Sequence, residues 1–142
     1  PYALVPASDP ISVQSSVTFT ELSKMPMIML DLPYTRDYFL GLFRMYGSHP
    51  EVVHSTRSAE IAKAMVEGGF GYTILNIRPS NYSANDTRYR ALPISDSSEA
   101  PVFGIATAGG VRQPKNVRSF IKVCIELRKG GTLDALTVCQ KL

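Results

Sequence analysis

The stretch from Ser58 to Leu75, SAEIAKAMVEGGFGYTIL, constrains the fold more than any other part of the chain. Its first half repeats apolar residues at helical spacing, with charged residues on the opposite face. Gly68 and Gly69 are expected to end the helix, because glycine adopts the left-handed conformation at little cost. Phe70–Leu75 is apolar and β-branched, which is typical of a strand covered on both faces. This order predicts an α/β fold, in which ligands bind at the carboxyl ends of the strands.

Length and composition favour a single globular domain. The chain has 142 residues, of which 44% are hydrophobic and 19% are charged, so it can bury a core and does not resemble a disordered chain. No apolar run reaches the roughly 20 residues that a membrane helix needs, and the first ten residues lack the pattern of a signal peptide. We therefore expect a cytoplasmic protein, or a chain from which a signal has been removed.

Charge and cysteine content argue against several functions. The net charge of +3 is mild, and the basic residues near the last predicted helix indicate a solvated face rather than a nucleic-acid contact. Cys124 and Cys139 are expected to be reduced thiols, and no spacing typical of a metal site occurs. We predict neither a metal nor a cofactor.

Strand-like and helix-like segments alternate along the chain. Strands are predicted at Tyr2–Val5, Met27–Leu30, Glu51–Ser55, Phe70–Leu75, Arg88–Pro93 and Val102–Thr107. Helices are predicted from Thr18 or Thr20 to Lys24, after Thr35 to Tyr46, within Ser58–Glu67, and from Pro114 to Lys129. Ile77–Asp86 is predicted to be a loop or a ragged helix. The alternation predicts βαβ units and a mainly parallel sheet flanked by helices.

The first candidate site is the loop between a predicted strand and the helix after it, formed by Leu32, Pro33, Tyr34, Thr35 and Arg36. The first amides of that helix lack internal partners, and its dipole favours negative charge there. A carboxylate or phosphate could bind the amides after Thr35 with help from the Thr35 hydroxyl, while Pro33 and Tyr34 shape the pocket. The alternative is that Thr35 only caps the helix.

A second junction between a strand and a helix lies at Ser55–Ser58 and is rich in hydroxyl groups. If the crossovers are regular, Thr56 stands at the same end of the sheet as Thr35, so the two junctions would form half of an anion-binding cleft. Phe70 and Gly71 could add a wall and a close approach of the backbone. The alternatives are that Thr56 or Ser58 is an ordinary cap and that Phe70 belongs to the core.

Signals of an enzyme are weak. His49 and His54 have no carboxylate or nucleophile at a catalytic spacing, and the chain contains no GxSxG, P-loop or GxGxxG motif. Gly68, Gly69 and Gly71 follow a helix instead of a strand, so they do not match a dinucleotide-binding loop. The sequence therefore favours binding over catalysis.

Taken together, these segments resemble the effector-binding domain of LysR-type transcriptional regulators. The resemblance is carried by Tyr2–Pro10, by Phe19–Leu22 with Met25–Leu30, by Val53–Leu75, by Arg90–Pro93 and Val102–Ala106, and by Val117–Arg128. It covers the chain to about Gly130, and the order and spacing of the segments carry it rather than any single motif. One departure is Asn76, which stands where the family usually has proline.

The resemblance implies a type II periplasmic-binding-protein-like fold with two α/β subdomains and an effector cleft between them. Residues 1–113 would be the second subdomain with its crossover strand, 114–130 a helix that returns to the first subdomain, and 131–142 a tail. Most of the first subdomain and the DNA-binding domain would lie outside this sequence. The family's effector contacts carry over to Leu32–Arg36, the Thr56 region and the Phe70–Gly71 turn.

The implied function is sensing of a small, anionic metabolite by a homo-oligomeric bacterial regulator, which contacts DNA only through a domain absent from this sequence. The resemblance also implies that one helix and the next strand pack on a partner subunit, through Tyr38, Phe39, Leu42, Glu51 and Val53. A deeply buried helix would explain the same apolar residues. The other functions considered are an extracytoplasmic solute-binding protein, which shares the fold, and an enzyme on a similar scaffold.

Overall fold

A computed structural model describes residues 1–76, 88–96 and 104–131. The strands are β1 (Tyr2–Pro6), β2 (Pro26–Leu30), β3 (Glu51–Thr56), β4 (Thr73–Leu75) and β5 (Tyr89–Pro93). The helices are α1 (Phe19–Leu22), α2 (Thr35–Met45), α3 (Ala59–Glu67) and α4 (Lys115–Lys129), and a short 3₁₀ turn spans Pro10–Val13. None of the described helices is long and apolar enough to cross a membrane.

The strands lie side by side in the order β3-β2-β4-β1-β5. β2 and β3 are parallel, whereas β1 is antiparallel to both of its neighbours, β4 and β5. A parallel bridge between Met27 and Tyr72, the residue before β4, joins the two parts. Because β4 and β5 both oppose β1, they run in the same direction as each other and as β2 and β3.

The expectation of a mainly parallel sheet therefore holds for β2 to β5 and needs one correction. β1 enters between β4 and β5 in the opposite direction, so these two neighbours are joined through antiparallel ladders. Both pairings of β1 are made to strands far along the chain. Local hydrophobic patterning does not encode strand direction, which is why the sequence could not predict this insertion.

Both faces of the sheet are covered at the central strands β1, β2 and β4, and alternation along the strands sorts the side chains between the two faces. Met27 and Met29 join Phe39 and Phe43 of α2 and Phe19 of α1 in one buried cluster. Ile28 and Leu4 face the other way and pack with Ala62 and Val66 of α3. Helices α2 and α3 therefore lie on opposite faces of the sheet, as expected for the sheet flanked by helices that the sequence predicts.

Polar caps and glycines fix the ends of the short helices. Thr18 caps α1 in a reciprocal capping box with Glu21, and the Ser58 hydroxyl accepts a hydrogen bond from the Ile61 amide at the start of α3. After α3, Gly69 takes the left-handed conformation with φ +79°, whereas Gly68 stays right-handed. The predicted stop after α3 is therefore made by Gly69.

Three predicted elements differ from the structure or fall outside it. The strand predicted at Phe70–Leu75 is only Thr73–Leu75, and Phe70 is 58% exposed instead of belonging to the core. Residues 104–107 have no strand conformation, so the described part of the strand predicted at Val102–Thr107 is wrong. The predicted loop at Ile77–Asp86 and the tail after Gly131 lie outside the described residues.

Helix α4 forms where it was predicted but buries none of its residues within the described part of the chain. Its predicted apolar side remains accessible, with Phe120 60% exposed and Val117, Ile121 and Cys124 half-buried. Both ends agree with the sequence, since Pro114 precedes the helix and Gly131 follows it with φ +73°.

Candidate functional site

Two strand-to-helix junctions meet at the carboxyl edge of the sheet. The parallel register pairs Leu30 with Thr56, the last residues of β2 and β3. One residue further on, the Asp31 amide donates a hydrogen bond of 2.8 Å to the Thr56 carbonyl. The predicted convergence of the two junctions is thus confirmed as geometry. Because α2 and α3 lie on opposite faces of the sheet, the two loops diverge at this edge, and we call the space between them the crevice. Loops that diverge in this way mark the place where open α/β sheets bind ligands.

The start of α2 leaves backbone donors free. Tyr34 is the N-cap residue, has φ +64° and makes no side-chain capping hydrogen bond. The Thr35 amide donates to the Leu32 carbonyl at 3.1 Å, but the amides of Arg36 and Asp37 have no acceptor among the described residues. Thr35 is the first helical residue, so the alternative that it caps the helix is wrong. The free amides form a small cluster of donors at the positive end of the helix dipole.

The side chains around these amides are open to solvent. Leu32, Pro33 and Tyr34 are exposed, and the exposed fraction of Tyr34 is 90%. Arg36 and Arg57 bring positive charge to the two junctions, and Asp31 and Asp37 bring negative charge. These side-chain charges balance in number. The backbone amides and the helix dipole therefore add positive potential that the side-chain charges do not cancel.

Thr56 has a structural role at its junction. Its hydroxyl accepts a hydrogen bond of 3.2 Å from the Ser58 amide, and Ser58 in turn caps α3. The turn that carries Arg57 is therefore held by two hydroxyl groups in succession. This arrangement fixes the path of the chain at the edge of the crevice and keeps Thr56 beside Asp31.

The assignment of Phe70 and Gly71 to the same cleft is wrong. The Tyr72 amide donates to the Pro26 carbonyl at 3.0 Å, so Gly71 lies at the amino end of β2, about 13 Å from Leu30 along the strand. The expected close approach does occur at Gly71, where a Cβ would lie 2.2 Å from the Pro26 carbonyl oxygen. The close approach at Gly71 is therefore made to the backbone of Pro26 and not to a ligand. The ring of Phe70 contacts His54 edge-on, with 6.2 Å between centroids.

Sequence reasoning missed Asn76 as a candidate site residue. The bridge between Met27 and Tyr72 aligns Leu75 with Leu30 at the carboxyl edge, and Asn76 follows Leu75 directly. The Oδ1 atom of Asn76 is buried and has no hydrogen-bond partner among the described residues. The signal was present in the sequence, since a polar residue stands there in place of the family's usual proline.

The part of the chain that the structure describes contains no group of three or more His, Cys, Asp or Glu side chains able to hold a metal ion. Tyr72 is fully buried, and burial raises the pKa of its phenol far above the usual range, so the phenol stays neutral. It lies inside the β-sheet core and away from the carboxyl edge.

The residues predicted to face a partner subunit divide into two groups. Phe39 is 1% exposed and packs in the core, so its assignment to an interface is wrong. Tyr38 remains 36% exposed, Val53 remains 41% exposed and Glu51 is exposed, while Leu42 is half-buried against the core. Helical spacing could not separate Phe39 from Tyr38, because α2 is apolar around more than one face.

Comparisons with known proteins agree on one family. The family model described as the LysR substrate binding domain matches residues 1–129. The transcriptional regulator CysB of Burkholderia cenocepacia is 27% identical over 126 residues, which are 88% of this chain and 39% of that protein. The chain therefore spans well under half the length of this relative.

Solved structures show the same fold. The LysR family regulator HinK of Pseudomonas aeruginosa superposes with a TM-score of 0.72 at 29% identity, over 88% of this chain and 43% of HinK. The effector-binding domain of BenM, solved with its effector benzoate, superposes with a TM-score of 0.70 at 15% identity, over 96% of this chain and 61% of that domain.

Proposed function

Because this chain belongs to the LysR substrate binding domain family, we propose that it senses a small anionic metabolite at the carboxyl edge of its sheet. The observation that carries the proposal is the free amides of Arg36 and Asp37 beside the junction of Asp31 and Thr56. Backbone donors at a helix N-terminus suit a carboxylate or a phosphate. The benzoate bound by BenM, a protein of the same fold, supports a carboxylate ligand.

We propose that the anionic group of the ligand contacts the amides after Thr35, the Thr35 hydroxyl and the Arg36 guanidinium. Leu32, Pro33 and Tyr34 would shape one wall, because their side chains are exposed at the mouth of the crevice. Thr56 would position the opposite junction. A second α/β subdomain of the longer protein would supply the other side of the cleft.

Signalling would follow from a shift between open and closed arrangements of the two subdomains. A ligand moves such an equilibrium only by as much as it binds one arrangement more tightly. The closed cleft would satisfy the free amides through the ligand and bury its apolar part. The change would alter the spacing of DNA-binding domains elsewhere in a cytoplasmic oligomer. DNA would be bound by those domains and not by this module.

The proposed oligomer interface is the outer edge of β3 with the adjoining side of α2, including Tyr38, Leu42, Glu51 and Val53. Within the described residues, β3 pairs with β2 on one side, and no strand pairs with its other edge. Open strand edges of this kind invite pairing or coverage by a partner. The partial exposure of Tyr38 and Val53 supports the same surface.

The test is calorimetric titration of the full-length protein with a panel of small carboxylates and phosphates, repeated on Thr35→Glu. A glutamate in the first turn of α2 suits the helix dipole, so folding is preserved while the anion position is opposed. We expect affinity to fall by at least tenfold. Thr20→Glu is the matched control, because it adds the same charge to the first turn of α1, which leads into the amino end of β2.

Failure of every carboxylate and phosphate to bind the full-length protein would overturn the proposal. Equal affinity in Thr35→Glu and the unmodified protein would overturn the proposed position of the ligand. The relatives named as transcriptional regulators favour this function over transport of a solute.

A further inference from the structure

The carboxylate of Asp96 ties the end of β5 to the start of α1. Its two oxygens both accept the Phe19 amide, at 3.0 and 3.3 Å, although the two residues are 77 positions apart in sequence. Phe19 is the first residue of α1, so its amide has no acceptor inside that helix. Hydrogen bonds to a charged carboxylate are among the stronger ones in proteins. The side chain of Asp96 therefore holds two segments together that are remote along the chain.

The backbone next to Asp96 joins the same two segments. Val17 pairs with Ile94 in a parallel bridge, and both residues are buried in the core. The Val17 amide donates to the Pro93 carbonyl at 3.0 Å, and the Val17 carbonyl accepts from the Ser95 amide at 2.9 Å. The contact made by Asp96 is thus the last of a continuous series.

Phe19 extends this attachment through the core to α2. Its ring lies edge-on to Phe43 of α2, with 4.8 Å between centroids, and stacks on Tyr46 at the end of the same helix, with 5.2 Å between centroids. Helices are rigid elements that can carry a displacement from one end to the other. Helix α2 therefore connects the free amides at its start with Phe19, and Phe19 connects α2 with Asp96.

Asp96 also marks the limit of the described core. When the described chain resumes at residue 104, it no longer contributes to the core: residues 104–112 are all exposed, and none of α4 is buried within the described part of the chain. The position of such a segment relative to the sheet depends on where the chain is anchored before it. Asp96 supplies that anchor, because it is the last described residue before the segment and is bound to α1.

We infer that Asp96 is a positioning residue that couples the proposed anion site to the segment bearing α4. This inference rests on the proposed function and adds a route for its regulation. A ligand at the start of α2 shifts that helix, Phe19 follows through its ring contacts, and Asp96 passes the shift to the chain after β5. Without the carboxylate, α1 and the end of β5 move independently. The ligand then still binds but affects α4 less.

The experiment combines calorimetry and hydrogen–deuterium exchange on the full-length protein. The probes are the carboxylates and phosphates of the calorimetric panel, among them acetate, benzoate and inorganic phosphate, and the one that binds most tightly is used for exchange. In the unmodified protein it should change the exchange rate of peptides covering residues 115–129 by about fivefold, the lower end of typical allosteric coupling. Asp96→Ala should remove most of this response while leaving the dissociation constant unchanged.

Asp9→Ala is the matched control, because the Asp9 carboxylate also accepts a backbone amide, that of Ile11 at 2.9 Å, but only two residues away. It should leave the response of α4 intact. Asp96→Asn keeps an acceptor oxygen for the Phe19 amide and should retain most of the response. Tyr46→Leu interrupts the same series of contacts at α2 and should also weaken the response, which keeps the test decisive if Asp96→Ala does not fold.

Three outcomes would overturn the inference and leave the anion site standing. In the first, an acid binds and changes the exchange of α4 equally in Asp96→Ala and the unmodified protein. In the second, an acid binds without changing the exchange of α4 at all. In the third, Asp9→Ala loses the response as fully as Asp96→Ala, which would show a general effect of lost stability. If no probe binds, the proposed function and the inference are both overturned.

Discussion

The Asp31 amide and the Thr56 carbonyl are joined by a hydrogen bond of 2.8 Å beyond the last paired residues of β2 and β3. This bond holds together two loops that then diverge to opposite faces of the sheet. The bond therefore fixes the two loops to each other at the point where they begin to diverge. The position of the proposed ligand site is therefore a consequence of topology, and the side chains around it tune what binds.

Tyr34 is expected to cost stability because a residue with a Cβ is strained at φ +64°. Tyr34→Gly should raise the free energy of unfolding by about 1 kcal/mol, since the side chain is 90% exposed and little burial is lost. Tyr34→Ala, the matched control, retains the Cβ and should give no such gain. Urea denaturation of the three proteins checks this, and an equal effect of both substitutions would contradict the account of strain.

Gly71 is required by a close backbone contact. Gly71→Ala would bring a Cβ to 2.2 Å from the Pro26 carbonyl oxygen at φ +140°, so we expect a loss of about 3 kcal/mol or more. Gly41→Ala is the matched control, because nothing lies within 4 Å of the added Cβ. It lies inside α2 and should stabilise the protein by about 0.5–1 kcal/mol. Thermal unfolding monitored by circular dichroism separates the two outcomes, and a stable Gly71→Ala protein would contradict the packing described.

Glu21 should make part of the stability depend on pH. Hydrogen bonds from the Thr18 hydroxyl and amide lower the pKa of the Glu21 carboxyl below its ordinary value of 4.5. A lowered pKa in the folded state adds stability that is present above the unfolded-state value and is lost as pH falls through the folded-state value. The stability difference between the unmodified protein and Glu21→Gln should therefore shrink as pH falls from 7 to 3. A difference that stays constant over this range would show that the capping box does not depend on the charged carboxylate.

Val53 and Phe39 should respond differently to substitution, although the sequence suggested the same role for both. Val53→Lys changes an exposed residue, so folding should change by less than about 0.5 kcal/mol while the full-length oligomer weakens. Phe39→Ala should cost about 3–5 kcal/mol of stability, because the ring is buried in the core.

Sedimentation velocity of the full-length protein checks the effect of Val53→Lys. The matched control is Val13→Lys, which alters a valine 89% exposed in the 3₁₀ turn, beyond β5 at the other side of the sheet. An unchanged oligomer in Val53→Lys, or an equal weakening in the control, would exclude the β3 edge as the interface.

The sequence predicted the helices and most strands because each has a local signal. The periodicity of α3, the proline before α4 and the caps at Thr18 and Ser58 each act within a few residues. The antiparallel insertion of β1 escaped prediction because its partners are β4 and β5, far along the chain. The junctions at Thr35 and Thr56 were predicted correctly, because parallel strands carry their carboxyl ends to one edge.

The errors at Phe70 and Asn76 have a common origin. The sequence indicated a strand beginning at Phe70, but the strand enters the sheet at Tyr72 with its amino end beside Pro26. Phe70 therefore lies at the wrong edge, and the residue that reaches the carboxyl edge is Asn76. The predicted parallel sheet already implies that Phe70, at the start of its strand, lies at the amino edge, so assigning it to the ligand edge conflicted with the predicted strand direction.

Hydrogen–deuterium exchange on the full-length protein, with and without the acid that binds it most tightly, tests the central claim directly. The account predicts slower amide exchange in peptides covering residues 31–38, which include the Arg36 and Asp37 amides, and in peptides covering residues 55–58. Exchange in residues 68–72 should not change. Protection confined to residues 68–72, or no protection at the start of α2, would contradict a ligand site at the carboxyl edge.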